Sequence, residues 1–251
     1  MSRAAWLAEK RAEIAALGDL PLPEIVPSRR DFTQFIAMQR QGLALIARLQ
    51  RANPDTGATW PALDIAAFAR ACDDADAGAL AVRTAALYGT GLADLDTVAA
   101  AVTAPILRDD LCLDRQQVYA ARLHGADAIL LPAAELDAAA LRELSAVASS
   151  MHMATLIEVD AEADLAGALA LPTACIGFAC MGGDGHADLA RVRALAAQVP
   201  HHRTALLLAE VAALDDLVPL AGVIDAAVVG DALLSAPDPG AAVTAFLARV
   251  G

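Results

Sequence analysis

The sequence predicts an α/β chain folded as a (β/α)8 TIM barrel, with an extra N-terminal helical segment in front of it. Three observations predict this: eight short apolar runs that read as strands, an Ala/Leu-rich stretch of helical composition after each, and a spacing between runs of roughly 20 to 35 residues. The runs are apolar along their length and do not alternate, which suits parallel strands covered on both faces.

The elements follow in order. MSRAAWLAEKRAEIAAL (1–17) spreads charges through its apolar residues with a helical period, unlike the uncharged core of a signal peptide, and residues 1–40 are expected to lead into the barrel as a helical extension. LALIARL (43–49) is the first strand, and it hands over to an exposed loop at Asn53, Pro54, Asp55 and Gly57. GALAV (78–82), APILR (104–108), DAILL (127–131) and ATLIEV (154–159) are the next four strands. ACIGFA (174–179), TALLLAE (204–210) and DAAVVG (225–230) complete the eight. A doubly wound open sheet would read similarly, but no GxGxxG follows the first strand, so a dinucleotide-binding sheet is disfavoured.

A chain of 251 residues with 57% hydrophobic content suffices for one core, so residues 1–251 are taken as a single domain. The net charge of −13 and the absence of a Lys/Arg cluster argue against nucleic acid or an anionic membrane as partner. Cys72, Cys112, Cys175 and Cys180 show no CxxC spacing and are expected to be reduced thiols. No apolar run approaches the roughly 20 residues of a membrane helix, so a cytoplasmic protein with a small-molecule substrate is expected. The carboxylates lack histidines at ligand spacing, so neither a metal nor another cofactor is expected.

Several segments carry a resemblance to a known family. RRDFTQFI (29–36), LIARLQRANPDTG (45–57) and TLIEVDAEADL (155–165) resemble the indole-3-glycerol phosphate synthase family, as does DAAVVGDALLSAPDPGAAV (225–243). The likeness covers essentially the whole chain, and its most specific part is APILRDDLCLDRQQVYAARLHGADAILL (104–131), similar to the family's PVLRKDFIIDPYQIYEARAAGADAVLL. The resemblance implies a barrel enzyme that closes the indole ring in tryptophan biosynthesis, with an N-terminal helix capping the barrel mouth.

The same resemblance implies that the working residues have changed. The family's first strand supplies a Glu and a catalytic Lys, where this sequence has Arg48 and Gln50; its third strand supplies a general-acid Lys, where this sequence has Asp109. Neither Gln nor an aspartate near its reference pKa can protonate a leaving group as lysine does. The general-base Glu of strand five persists as Glu158 and the Glu of strand seven as Glu210, while the Asn and Arg of strand six are replaced by Ala179 and Met181. Val211-Ala212-Ala213 and Gly230-Asp231-Ala232 replace the family's phosphate-binding SGI and GES, removing a glycine and two serines from the anion cradle.

Arg48 and Gln50 alternate, so both are expected to point into the mouth at the C-terminal ends of the strands. Arg48 and Asp109 are expected to form an ion pair, leaving Glu158 and Glu210 unneutralised, so that crowding raises the pKa of one of them. The expected catalytic set is therefore Glu158, Glu210, Asp109 and Arg48. Gln50, Asn53, Arg83, Cys180, Met181, Gly230 and Asp231 form the expected substrate-binding set, with Arg83 suited to a carboxylate through its planar fork. The glycines of MGGDGH (181–186) raise the further possibility of a backbone nest for an anion, against a loop with no ligand.

Three readings follow. The first is a divergent lyase or cyclase/dehydratase-type enzyme of specialised metabolism, acting on a small aromatic or indole-related, unphosphorylated substrate. The second is an inactive pseudoenzyme that acts as a binding or assembly partner of another protein. The third is a working indole-3-glycerol phosphate synthase; it has no lysine to use but Lys10, in the N-terminal helix.

Overall fold

The structure is a computed structural model that describes residues 3–20, 28, 30–38, 42–171 and 175–250. Eight strands, β1 (Ala44–Leu49), β2 (Ala79–Val82), β3 (Ile106–Leu111), β4 (Ala128–Pro132), β5 (Ala154–Val159), β6 (Cys175–Phe178), β7 (Ala205–Leu207) and β8 (Ala226–Val229), run parallel and close in chain order, with β1 paired to both β2 and β8. The predicted barrel is present. Most boundaries shift by one or two residues, and the largest differences are that β3 runs three residues past the predicted end and β7 stops three short of it, at Leu207. Position 174, predicted to start the sixth strand, lies outside the described residues.

Helices α1 (Arg3–Leu17) and α2 (Phe32–Met38) precede the barrel. The outer layer is α3 (Ile65–Asp74), α4 (Leu92–Ala101), α5 (Arg115–Leu123), α6 (Ala138–Ser150), α7 (Glu162–Leu169), α8 (Leu189–Ala196), the short α9 (Asp231–Leu234) and α10 (Pro239–Val250). Aspartates start many of these helices. Asp64, Asp114, Asp137 and Asp188 sit at N-caps and accept from backbone N–H groups of α3, α5, α6 and α8. Asp94 and Asp164 reach back from the first turns of α4 and α7 to Gly91 and Ala161 N–H. A carboxylate there satisfies a donor the helix leaves open and complements its dipole, so part of the acidic surplus is structural.

Alternation along each strand separates two cores. Leu45, Ala47 and Leu49 of β1 face the helices, whereas Ala44 and Ile46 face the barrel interior with Ala79, Ala81, Leu107, Leu156, Leu206 and Val228. Small residues let large ones fill the centre: a Cβ on Gly177 of β6 would stand 2.4 Å from Leu208 Cδ1. Continuing the alternation carries Arg48, Asp109, Glu158 and Glu210 to the C-terminal mouth. The extra length of β3 has the same origin, because its register with β4 jumps from Arg108↔Ile129 to Leu111↔Leu130 and leaves Asp109 and Asp110 bulged over the mouth.

The N-terminal extension serves both ends of the barrel. Phe32 and Ile36 of α2 pack into the interior core at the end opposite the mouth. Helix α1 lies over the mouth, as the resemblance implied. Lys10 is fully buried there, 2.5 Å from both Asp110 and Glu13; Glu13 also pairs with Arg108, and Trp6 Nε1 donates to Asp110 at 2.8 Å. Among the described residues no helix is long and apolar enough to cross a membrane.

Candidate functional site

The mouth holds a cavity of about 100 Å³ lined by Arg48, Asn53, Arg83, Asp109, Glu158, Met181 and Glu210, all of them predicted site residues. Arg3 and Trp6 of α1, Asp55 and Tyr88 complete its polar and aromatic wall. The other predicted residues do not reach it. Gln50 is buried behind the wall, and Cys180 is buried with its thiol donating to Asp160 O at 3.6 Å.

Arg48 organises the floor. Its Nε donates to Asp109 Oδ2 at 2.6 Å, Nη1 to Glu210 Oε1 at 2.8 Å and Nη2 to Leu208 O at 2.7 Å. The expected Arg48–Asp109 pair is therefore present, but Glu210 is not left unneutralised, because the guanidinium fork has edges enough for both carboxylates. Glu210 Oε2 also accepts from the N–H groups of Gly230 and Asp231, at 3.1 and 3.2 Å. Gly230 permits this approach: a Cβ there would stand 2.5 Å from Glu210 Oε1.

Asp231 holds a second internal network. Its carboxylate accepts from Gln50 Nε2 at 2.9 Å, Asn53 Nδ2 at 3.0 Å and Thr56 Oγ1 at 2.5 Å. Gly230, Asp231 and Gln50, predicted to bind substrate, thus turn toward partners within the chain. The Gly-rich loop does likewise: Gly182 N–H donates to His186 O, His186 N–H to Asp184 Oδ1, and Gly185 packs on the backbone of Asp55. These donors do not converge on an anion, in line with the alternative of a loop that holds no ligand.

Glu158 stands apart from those networks. It is 5% exposed, and its ion pair comes from Arg3, whose Nη1 lies 2.6 Å from Glu158 Oε1. Burial holds its carboxyl above the usual carboxylate range, opposed in part by Arg3. The predicted rise is present, but desolvation is its main cause; Asp109 adds only a minor push, so crowding is not what drives it.

Arg83 is set by aromatic rings. Its guanidinium lies 4.4 Å from the Tyr88 ring centroid and 5.2 Å from that of Trp6, within cation–π range of both. Tyr88 is itself held by its carbonyl, which accepts from Arg51 and Ala52 N–H at 2.8 and 3.0 Å. Arg83 Nε is buried without a hydrogen-bond partner; it lies 3.3 Å from Asp109 Oδ2, near enough for attraction but not aimed at it. The cavity thus combines a buried glutamate, paired with Arg3, with an arginine held over two aromatic rings. The sequence analysis missed Arg3 and Trp6; the one available signal was their placement three apart, on one face of an N-terminal helix.

Residues 1–246 match the family model described as indole-3-glycerol phosphate synthase. The indole-3-glycerol phosphate synthase of Leptothrix cholodnii is 34% identical over 254 aligned positions, spanning 96% of this chain and 97% of its own. That of Mycobacterium ulcerans is 35% identical over 216 positions, spanning 82% and 77%. Among solved structures, Mycobacterium tuberculosis tryptophan synthase superposes with a TM-score of 0.66 at 15% identity, over 88% of this chain and 99% of its own. The 3-hexulose-6-phosphate synthase of Salmonella typhimurium does so with 0.66 at 11% identity, over 82% and 98%. At those identities the structural likeness is one of fold alone.

Proposed function

Because the chain belongs to the indole-3-glycerol phosphate synthase family, we propose that it is a divergent member, a lyase or dehydratase-type enzyme that runs acid–base chemistry on a small aromatic carboxylate and does not close the indole ring. The observation that carries this reading is the buried Arg48–Asp109 pair, which inverts the charges of the family's Glu and Lys at those positions. Among the described residues no lysine lines the mouth, and the chain's one lysine is held between Asp110 and Glu13.

Glu158 is the proton-transfer group. Burial raises its pKa above that of an ordinary carboxylate, the direction a proton-transferring carboxyl needs. Arg83 anchors the substrate carboxylate, since its Nε is still owed a partner and its plane is fixed on Tyr88 and Trp6. Two features favour an unphosphorylated substrate: the Gly230 and Asp231 N–H groups are already given to Glu210, and the cavity is small. Its about 100 Å³ lies below the about 300 Å³ at which ordinary ligand pockets begin and also below the roughly 150 Å³ that holds a benzene ring, so an aromatic ligand needs the rim side chains, Arg3 among them, to give way.

A second reading, a catalytically silent binding protein, is favoured by the internal saturation of Arg48, Glu210 and Asp231. The experiment supplies purified protein with carboxyphenylaminodeoxyribulose phosphate and follows indole-3-glycerol phosphate by fluorescence and mass spectrometry. No product is expected. Product formed by the wild type and lost in Glu158→Gln would overturn the divergent reading and restore the family reaction.

A further inference from the structure

We infer that an anionic ligand entering the mouth takes Arg3 away from Glu158, so that ligand binding and protonation of Glu158 are one coupled event that arms the site's general acid. This rests on the acid–base reading above and adds the source of the proton.

The geometry sets up the exchange. Arg3 projects from α1 with its side chain 37% exposed, so it is a cation at the rim and not a buried strut. It pairs with Glu158 at 2.6 Å, touches Glu135 at 3.3 Å, and lies 5.6 Å from the centroid of the Trp6 ring on which Arg83 also stacks. Two guanidiniums therefore flank one indole, and an aromatic carboxylate seated on that ring meets both. Arg83 Nε gains the acceptor it lacks, and Arg3 gains an anion more exposed than Glu158.

Charge balance then fixes the fate of Glu158. The groups around the cavity are Arg3 from α1, Arg48 from β1, Asp55 from the following loop, Arg83 after β2, Asp109 from β3, Glu158 from β5 and Glu210 after β7. That is three cations against four carboxylates, with Glu135 outside the wall and already on Arg3. A ligand carboxylate makes the mouth more negative still. Asp109 and Glu210 keep Arg48, so Glu158 is the one whose counter-ion is lost. Burial already disfavours its ionised form, and Arg3 is the strongest influence holding it down.

The step balances without redox change. The ligand carboxylate forms its ion pair with Arg3, the Arg3–Glu158 pair breaks, and a solvent proton adds to the oxygen Arg3 vacates. By linkage, an anion that raises the pKa of Glu158 must bind more tightly as pH falls. Where Gln50 and Asp109 stand at the positions of the family's lysines, this supplies an acid without an ammonium.

The test is calorimetric titration of 2-aminobenzoate into the protein at several pH values from about 5 to 9, each in two buffers of different ionisation enthalpy. The expected result is proton uptake on binding that peaks within that range, at up to about one proton per ligand bound. Uptake should vanish in Glu158→Gln, and in Arg3→Gln it should vanish together with an about ten-fold loss of affinity, read as about 1.4 kcal/mol. Binding without proton uptake, or uptake that persists in Glu158→Gln, would overturn the coupling while leaving the site reading intact. If neither 2-aminobenzoate nor indole-3-carboxylate binds the folded protein or changes Trp6 fluorescence in a Trp60→Phe background, the acid–base reading itself falls.

Discussion

Arg48 Nε lies 2.6 Å from Asp109 Oδ2, and both side chains are 1% exposed. The resemblance implies a Glu and a Lys at these two positions, so on that reading the charges are reversed and the pair is a new one.

This pair should be energetically coupled. Arg48→Met strands two carboxylates, Asp109 and Glu210, and should cost about 3–5 kcal/mol in urea denaturation. In a double-mutant cycle with Asp109→Asn the second substitution should cost much less than it does alone, giving a coupling on the order of 1–3 kcal/mol. Additive single effects would rule out the direct pair.

Glu158→Gln should abolish turnover and alter how stability depends on pH. The folded-state pKa of Glu158 lies above its ordinary 4.5, so its contribution is fully present below that value and is lost as pH rises through the folded value. Wild type and variant should therefore differ little in the acid range, and the variant should gain relative stability toward neutral pH. Chemical denaturation across pH 4 to 8 reads this. Equal losses of stability and activity in the variant would mark Glu158 as structural.

Lys10→Met should loosen α1 from the barrel. It leaves Asp110 buried with Arg108 and Thr84 but without its ammonium, at a cost of about 3 kcal/mol or more. Burial would raise the Asp110 carboxyl, but Lys10 and Arg108 outweigh it and hold the group below its ordinary 3.8. Its stabilising contribution is therefore present above that value and is lost as pH falls through the lower folded one. Hydrogen exchange over residues 3–17 should accelerate in the variant; unchanged exchange would mean that other contacts hold the helix.

The thiols should be inert in the native state. All four cysteines are buried, and burial pushes Cys72, Cys112 and Cys175 up to about 12 and Cys180 up to about 11. Ellman's reagent should label none within minutes and all four after guanidinium is added. Rapid native labelling of one thiol assigned to Cys180 would show that its burial does not hold in solution.

The strands were legible because parallel barrel strands are local apolar runs, and ATLIEV (154–159) matches β5 residue for residue. The third strand was read short because its end is charged: Asp109 and Asp110 look like loop until one sees what each is paired with. Glu210 was misjudged for a related reason. A linear sequence shows that Arg48 has one opposite charge to meet, but not that its fork serves two at once.

The sequence by itself determined the barrel and the inward aim of Arg48, Asp109, Glu158 and Glu210, because side-chain direction follows a two-residue period that is written locally. Only the tertiary structure decided which charges neutralise one another, how little room the mouth leaves, and that Arg3 and Trp6 belong to it. Those outcomes depend on docking α1 across the ends of β2 to β5. That contact is fixed by the buried Lys10–Asp110 and Glu13–Arg108 pairs between residues far apart in the chain, which no local pattern specifies.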